Sequence, residues 1–296
     1  MKQIATLLLL FVLFSCRKEV TNQNINPNKE VYLKSFKVQE SGDYLLYKPI
    51  YDANNKVTKI ELWDNRSAGA APTLSKVLNL SWPTPTQFKI SIQDIANSNN
   101  ANSYIYTIPT ATIEQNRMPT EVLYKEGNVT KQRYEMVCPV GSSYITSVKR
   151  FNVTTSPITL EYESSSTMSP DGRQVTVDES HRFSGGVYEN SRRKYTLGNV
   201  INKNINTCRE LFWVLSLWSY DELEDAAISP YWQNLSLPTS MEHFYKVGNV
   251  WQSNGPAISY PTSFQTNIGY NQYLKKIALP APNPDGVFQE WEWEVR

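Results

Sequence analysis

From Val31 onward the chain alternates apolar and polar residues in short runs, and almost every run is broken by Asn, Asp, Gly or Pro. A period of two puts successive side chains on opposite faces of an extended backbone, so such runs can bury one face only as β-strands. Tyr44–Tyr51 and Val57–Trp63 are two of them, separated by Asp52-Ala53-Asn54-Asn55-Lys56. Asn tolerates positive φ, so this reads as strand, tight turn, strand.

The unit recurs. Met118-Pro119-Thr120 through Gly127-Asn128 can be laid over Leu237-Pro238-Thr239 through Gly248-Asn249, and over Tyr260-Pro261-Thr262 through Gly269. Each opens on an apolar residue, Pro and Thr and reaches a glycine turn some eight to ten residues on, at hairpin spacing. Further hairpins are expected over 140–151 and over 158–177, the latter turning on Ser169-Pro170-Asp171-Gly172-Arg173. Lateral pairing of such units predicts one mainly β domain over 31–296, an extended antiparallel sheet of repeated hairpins whose edges must be covered.

One stretch departs from the pattern. Leu211–Trp218 is apolar on both faces, and periodicity does not choose between a buried strand and a helical turn. Ser219 and Glu222 then form a capping box, which predicts a short helix over 220–227, ended before Pro230. Tyr51-Asp52 with the strand that follows resembles the tyrosine-aspartate unit of RHS-like repeat proteins, although Asn54-Asn55 stands where those repeats carry Gly. Residues 228–240 are similar to a passage of Bacteroidota-type lipoproteins of unknown function that carry such repeats. The resemblance implies an antiparallel β domain on an envelope lipoprotein and supplies no catalytic residue.

The N-terminus carries an address. Lys2 is followed by an apolar run to Phe14, then Ser15 and Cys16, the order of charge, core and cleavage site in a secretory signal. Arg17-Lys18-Glu19 ends the run short of the roughly 20 residues needed to cross a bilayer. Leu13-Phe14-Ser15-Cys16 resembles the lipobox of bacterial lipoproteins, which implies signal residues 1–15, lipidation of Cys16, and attachment to a membrane through acyl chains. Residues 16–30, polar and rich in Asn, read as a lipidated flexible tether. In lipoproteins of this type acidic residues after the cysteine accompany surface export; only Glu19 is acidic here, so outer-membrane attachment facing the periplasm is expected over the cell surface.

Charge narrows the partners. Loss of Lys2 with the signal leaves 29 − 1 = 28 basic residues against 28 acidic ones. Binders of nucleic acid need a basic surplus, and the longest basic cluster is Arg192-Arg193-Lys194, so no nucleic-acid partner is expected. With Cys16 lipidated, Cys138 and Cys208 remain, either as a disulfide or as two buried thiols, since spacing says nothing about geometry.

No catalytic constellation stands out. His181 and His243 lack the spacing partners of a metal site, so neither metal nor cofactor is expected. Ser184-Gly185-Gly186 lacks the strand-turn-helix context of a nucleophile elbow, while Asp171-Gly172 and Asp285-Gly286 read as turns rather than calcium loops. Tryptophan and tyrosine are abundant, 8 and 18 residues. Trp232, Trp251, Trp291 and Trp293 sit beside polar or turn residues and could stack on sugar rings, or could be core, as the alternation Phe288-Gln289-Glu290-Trp291-Glu292-Trp293 equally allows. Two functions follow: a non-enzymatic envelope module presenting a β face to a protein or polymer, and a glycan-binding lipoprotein of a polysaccharide-uptake system. A hydrolase with an unrecognised site is the third class.

Overall fold

The computed structural model describes residues 31–40, 43–65, 71–96, 101–108, 119–139, 145–182, 188–201, 236–259, 262–264, 274–278 and 288–296. The signal and tether, the helix expected over 220–227, Cys16, Cys208 and Trp232 lie outside them. The described chain is built of strands. The first nine are β1 (Val31–Glu40), β2 (Asp43–Tyr51), β3 (Val57–Asp64), β4 (Thr73–Thr84), β5 (Gln87–Asp94), β6 (Ala101–Thr107), β7 (Glu121–Glu126), β8 (Val129–Val137) and β9 (Ser147–Asn152). The rest are β10 (Thr159–Met168), β11 (Gln174–Arg182), β12 (Tyr188–Ile201), β13 (Ser236–Val247), β14 (Val250–Ser253), β15 (Ile258–Ser259), β16 (Thr262–Phe264), β17 (Leu274–Ala278) and β18 (Phe288–Val295).

Turn chemistry sets the hairpins. Asn55 adopts φ 60°, and the Asp52 carboxylate accepts from the backbone N–H groups of Asn54 and Lys56 at 2.8 and 2.9 Å. Gly127 and Gly248 adopt φ 58° and 59° in the two-residue Gly-Asn turns that join β7 to β8 and β13 to β14. A side chain at either glycine would meet left-handed backbone strain although space is open around it. Pro238 lies within β13 rather than at its first position, where the ladder with β12 shifts register, so its missing N–H breaks no regular pairing.

Each strand from β1 to β13 pairs antiparallel with the next. β14, β15 and β16 follow within residues 250–264 and carry the sheet from β13, through Met241↔Ile258, to β17, through Thr262↔Ile277. β17 pairs with β18, and β18 returns to β1 through Val31↔Val295 and Phe36↔Trp291. The extended sheet expected from sequence is therefore closed into a ring. Closure removes the unpaired edges that an open sheet would have to cover.

The faces of the ring are sorted. Phe36, Tyr47, Ile60, Leu78, Ile90, Tyr106, Val122 and Val148 are 0% exposed and belong to one core cluster with Leu33, Tyr134, Tyr195, Trp291 and Trp293. A round ring of this many strands leaves a water-filled lumen. Zero exposure means that this face meets protein instead. Sealing each such side chain contributes about 1.5–3 kcal/mol, and the aromatic chain Trp291–Phe36–Tyr47, with centroids 4.9 and 5.5 Å apart, runs across the closing strands.

The opposite face carries charge. Lys149 pairs with Glu163 at 2.9 Å, Lys34 with Glu292 at 2.6 Å, and Arg192 grips Asp178 with two bonds of 2.5 and 2.8 Å. The Asp178 carboxylate beside it raises the Arg192 pKa. A membrane-spanning barrel presents an apolar band to lipid and polar residues to its lumen. Here the apolar set is the sealed one.

Candidate binding cleft

Where β1 and β18 meet, the charged face sinks into a cleft of about 1130 Å³. Lys34, Ser35 and Lys37 of β1, Lys48 of β2, Lys275 and Lys276 of β17, and Glu290, Glu292 and Glu294 of β18 line it, together with Arg296. Alternation explains their direction: Phe36, Tyr47 and Trp291 point into the core, so their sequence neighbours Lys37, Lys48, Glu290 and Glu292 point out.

A register shift between Leu33 and Ser35 adds one residue to β1 against β18. Lys34 and Ser35 thereby both reach one carboxylate, Lys34 Nζ at 2.6 Å from Glu292 Oε1 and Ser35 Oγ donating to Oε2 at 3.2 Å. Bulges re-aim side chains in this way. The Lys34 bond holds the Glu292 carboxyl below its ordinary pKa against partial burial, and the same bond raises Lys34. Lys276 faces Glu290 at 3.5 Å, and Arg296 donates to Glu294 at 2.6 Å. Six cations thus stand against three carboxylates, a local surplus of 6 − 3 = 3 positive charges on a chain whose formal net charge is +1.

Aromatic rings hold several cations at the rim. Lys37 Nζ lies 4.5 Å from the centroid of Tyr44, Lys48 Nζ 4.5 Å from Trp63, and the Arg296 guanidinium 4.4 Å from Tyr51. Tyr51 is fixed in turn by its hydroxyl, which donates to the Leu33 carbonyl at 2.7 Å, and by an edge contact with Tyr32 at 5.3 Å. Cation–π contacts position the charges without neutralising them.

A second polar cluster lies on the inner face of β10–β13. The Glu179 carboxylate, 4% exposed, accepts from Tyr162 Oη at 3.1 Å and Ser191 Oγ at 3.0 Å, and pairs with Arg193. Both histidines border it: His181 stacks edge-on against Tyr162 at 4.7 Å, and His243 stands opposite Arg193, 3.2 Å from the Asn254 amide. Ser164, 1% exposed, faces Glu179 across the ladder, and its hydroxyl has no hydrogen-bond partner among the described residues. Glu179 thus forms a buried ion pair with Arg193 that two hydroxyl donors reinforce.

The residues singled out in the sequence fall elsewhere. Trp291 and Trp293, 3% and 4% exposed, are core and cannot stack on a ligand, because in β18 the tryptophan face is the sealed one. Trp251 is on the charged face, under Arg192 at 4.4 Å and Lys246 at 5.7 Å, and is not among the residues that line the cleft. Cys138 packs against the core just after β8. Asp171 closes the β10–β11 turn, accepting from Ser169 Oγ at 2.6 Å and Arg173 N–H at 3.1 Å, bonds that lower its pKa. Among the described residues no group of three or more His, Cys, Asp or Glu is arranged to hold a metal ion. The cleft lysines were visible in the sequence only as polar positions of three strands, two early in the chain and one late.

No protein-family model matches the chain, and no curated protein matches it. Solved structures do. A porin-like protein from Bacteroides uniformis ATCC 8492 superposes with a TM-score of 0.56 at 11% identity, covering 88% of this chain and 96% of that one. A porin-like protein from Bacteroides vulgatus ATCC 8482 gives 0.51 at 9% identity, covering 90% and 99%. At such identities the likeness is one of fold.

Proposed function

We propose that this chain is a non-enzymatic binding module of the bacterial envelope, held on the outer membrane by lipid at Cys16, facing the periplasm, and presenting the seam cleft to its ligand. The observation that carries the reading is the sorting of the ring's faces. Among the described residues the core cluster lies on the sealed face and ion pairs such as Lys34–Glu292 and Lys149–Glu163 lie on the other, an arrangement that favours attachment through the N-terminal segment over a lipid-facing apolar band. The lipobox-like Leu13–Cys16 supplies it. The fold shared with porin-like proteins of Bacteroides fits an envelope setting.

Glycan capture is the second reading. It is favoured by the outward aromatics Tyr44 and Trp63 around the cleft, whose faces could pack on sugar rings next to hydrogen-bonding cations.

Fractionation of cells making the full chain tests attachment. Wild type is expected in the membrane pellet, extractable by neutral detergent but not by high salt, and Cys16→Ala in the soluble fraction. Salt-resistant pelleting of the Cys16→Ala protein would overturn lipid anchoring, and turnover of a glycoside, ester or peptide by the purified chain would overturn the non-enzymatic reading.

A further inference from the structure

We propose that the seam cleft binds an acidic polysaccharide, a polymer bearing carboxylate or sulfate groups along its length; this deepens the binding-module reading and rests on it. Three observations choose this ligand class.

The first is charge. Six cations and three carboxylates line the cleft, and the carboxylates already face Lys34, Lys276 and Arg296. Lys48 and Lys275 make no ion pair among the described residues. An anion entering the cleft therefore meets a positive surplus that the site does not itself neutralise.

The second is the spacing and type of the cations. Lys276, Glu290 and Lys37 lie on one lateral row across β17, β18 and β1. Strands stand about 4.8 Å apart, so the two lysines of the row are about 10 Å apart, with Lys48 a strand further on. A single small anion meets one of these. A chain that repeats its charge meets several at once. Five of the six cations are lysines, compact charges that make no demand for the bidentate fork by which Arg selects phosphate.

The third is shape. The cleft is open, with Lys34 and Lys276 side chains 53% and 43% exposed. Charged side chains outnumber apolar ones among the described residues that line it, so it has room for a polar polymer lying across it.

Isothermal titration of the full chain in neutral detergent tests this, with polygalacturonate and chondroitin sulfate as acidic probes and dextran as the neutral one; cosedimentation of the Cys16→Ala protein with phosphatidylglycerol vesicles, without detergent, is the lipid arm. At least one acidic polymer is expected to bind and to weaken about tenfold or more between low salt and about 0.3 M salt, as screening shortens the reach of exposed charges. The triple variant Lys37→Gln, Lys48→Gln, Lys275→Gln is expected to lose about tenfold or more, whereas Lys89→Gln, an outward lysine of β5, binds as wild type. Equal thermal midpoints for all three proteins would show that the ring is intact. Acidic polymers that fail to bind, or that bind the triple variant as tightly as wild type, overturn the proposal. Dextran binding untouched by the triple change would overturn it while leaving the binding module standing, and binding to vesicles alone would replace the polysaccharide with a lipid.

Discussion

Replacing Trp291 by Ala tests ring closure and the assignment of the tryptophans together. Trp291 is 3% exposed, pairs with Phe36 across the seam, and holds its ring 4.9 Å from the Phe36 centroid, with Tyr47 5.5 Å beyond. Truncating a buried Trp to Ala costs about 3–5 kcal/mol, from lost transfer free energy and the cavity left behind. Loss of the aromatic contact to Phe36 adds to the upper half of that range. Domains are stable by only about 5–15 kcal/mol, so the variant should unfold at a much lower urea concentration, with an unchanged slope if the unfolded state is the same. Trp251→Ala is the control. Its ring is part-exposed beneath Arg192 and Lys246, and its loss should cost about 0.5–1 kcal/mol. Equal midpoints for Trp291→Ala and wild type would refute the core assignment, and with it the argument that β18 closes on β1 through sealed aromatics.

Two further outcomes concern charge. Arg193→Met leaves the Glu179 carboxylate, 4% exposed, with only the Tyr162 and Ser191 hydroxyls; it should destabilise by about 3 kcal/mol, more than Glu179→Gln, as urea titration can check, with equal costs refuting the pairing. Glu292 is held below its ordinary pKa by Lys34, so its contribution is present above the unfolded value near 4.5 and is lost as pH falls through the lower folded value. The unfolding midpoints of wild type and Glu292→Gln should therefore differ at pH 7 and draw together as pH falls below the ordinary value of 4.5.

Local features of the fold were legible, because turns and alternation are local. Asn55 at φ 60°, Gly127, Gly172 and Gly248 stand in turns at the positions where the sequence placed them. Closure was not legible. Val31↔Val295 joins residues from the two ends of the chain, and nothing within a strand specifies so distant a partner. The same limit hid the cleft. Lys34, Lys37 and Glu292 become neighbours only once the ring closes, and the bulge that turns Lys34 and Ser35 onto one carboxylate has no mark in Leu33-Lys34-Ser35-Phe36. In β18 alternation separated Trp291 and Trp293 from Glu290, Glu292 and Glu294, but a period of two is symmetric and does not say which face is dry.

That choice of face decides the chemistry. The same alternating strands, turned over, would put Trp291, Phe36 and Tyr47 toward lipid and the lysines toward a lumen, which is the arrangement of a pore. With the aromatics sealed inward, the lysines face solvent and the seam cleft lies on the outside. Val31 opens β1, the strand that carries Lys34 and Lys37, so a chain anchored at Cys16 leads directly to the cleft. A Gly/Ser-like flexible linker of about 14 residues would have a root-mean-square span of about 20 Å. The tether we propose would thus hold the cleft close to the membrane surface, which favours ligands that collect there over ligands free in solution. Lengthening that segment with Gly-Ser repeats should leave binding by the purified chain unchanged and weaken capture only where the ligand is itself confined to the membrane.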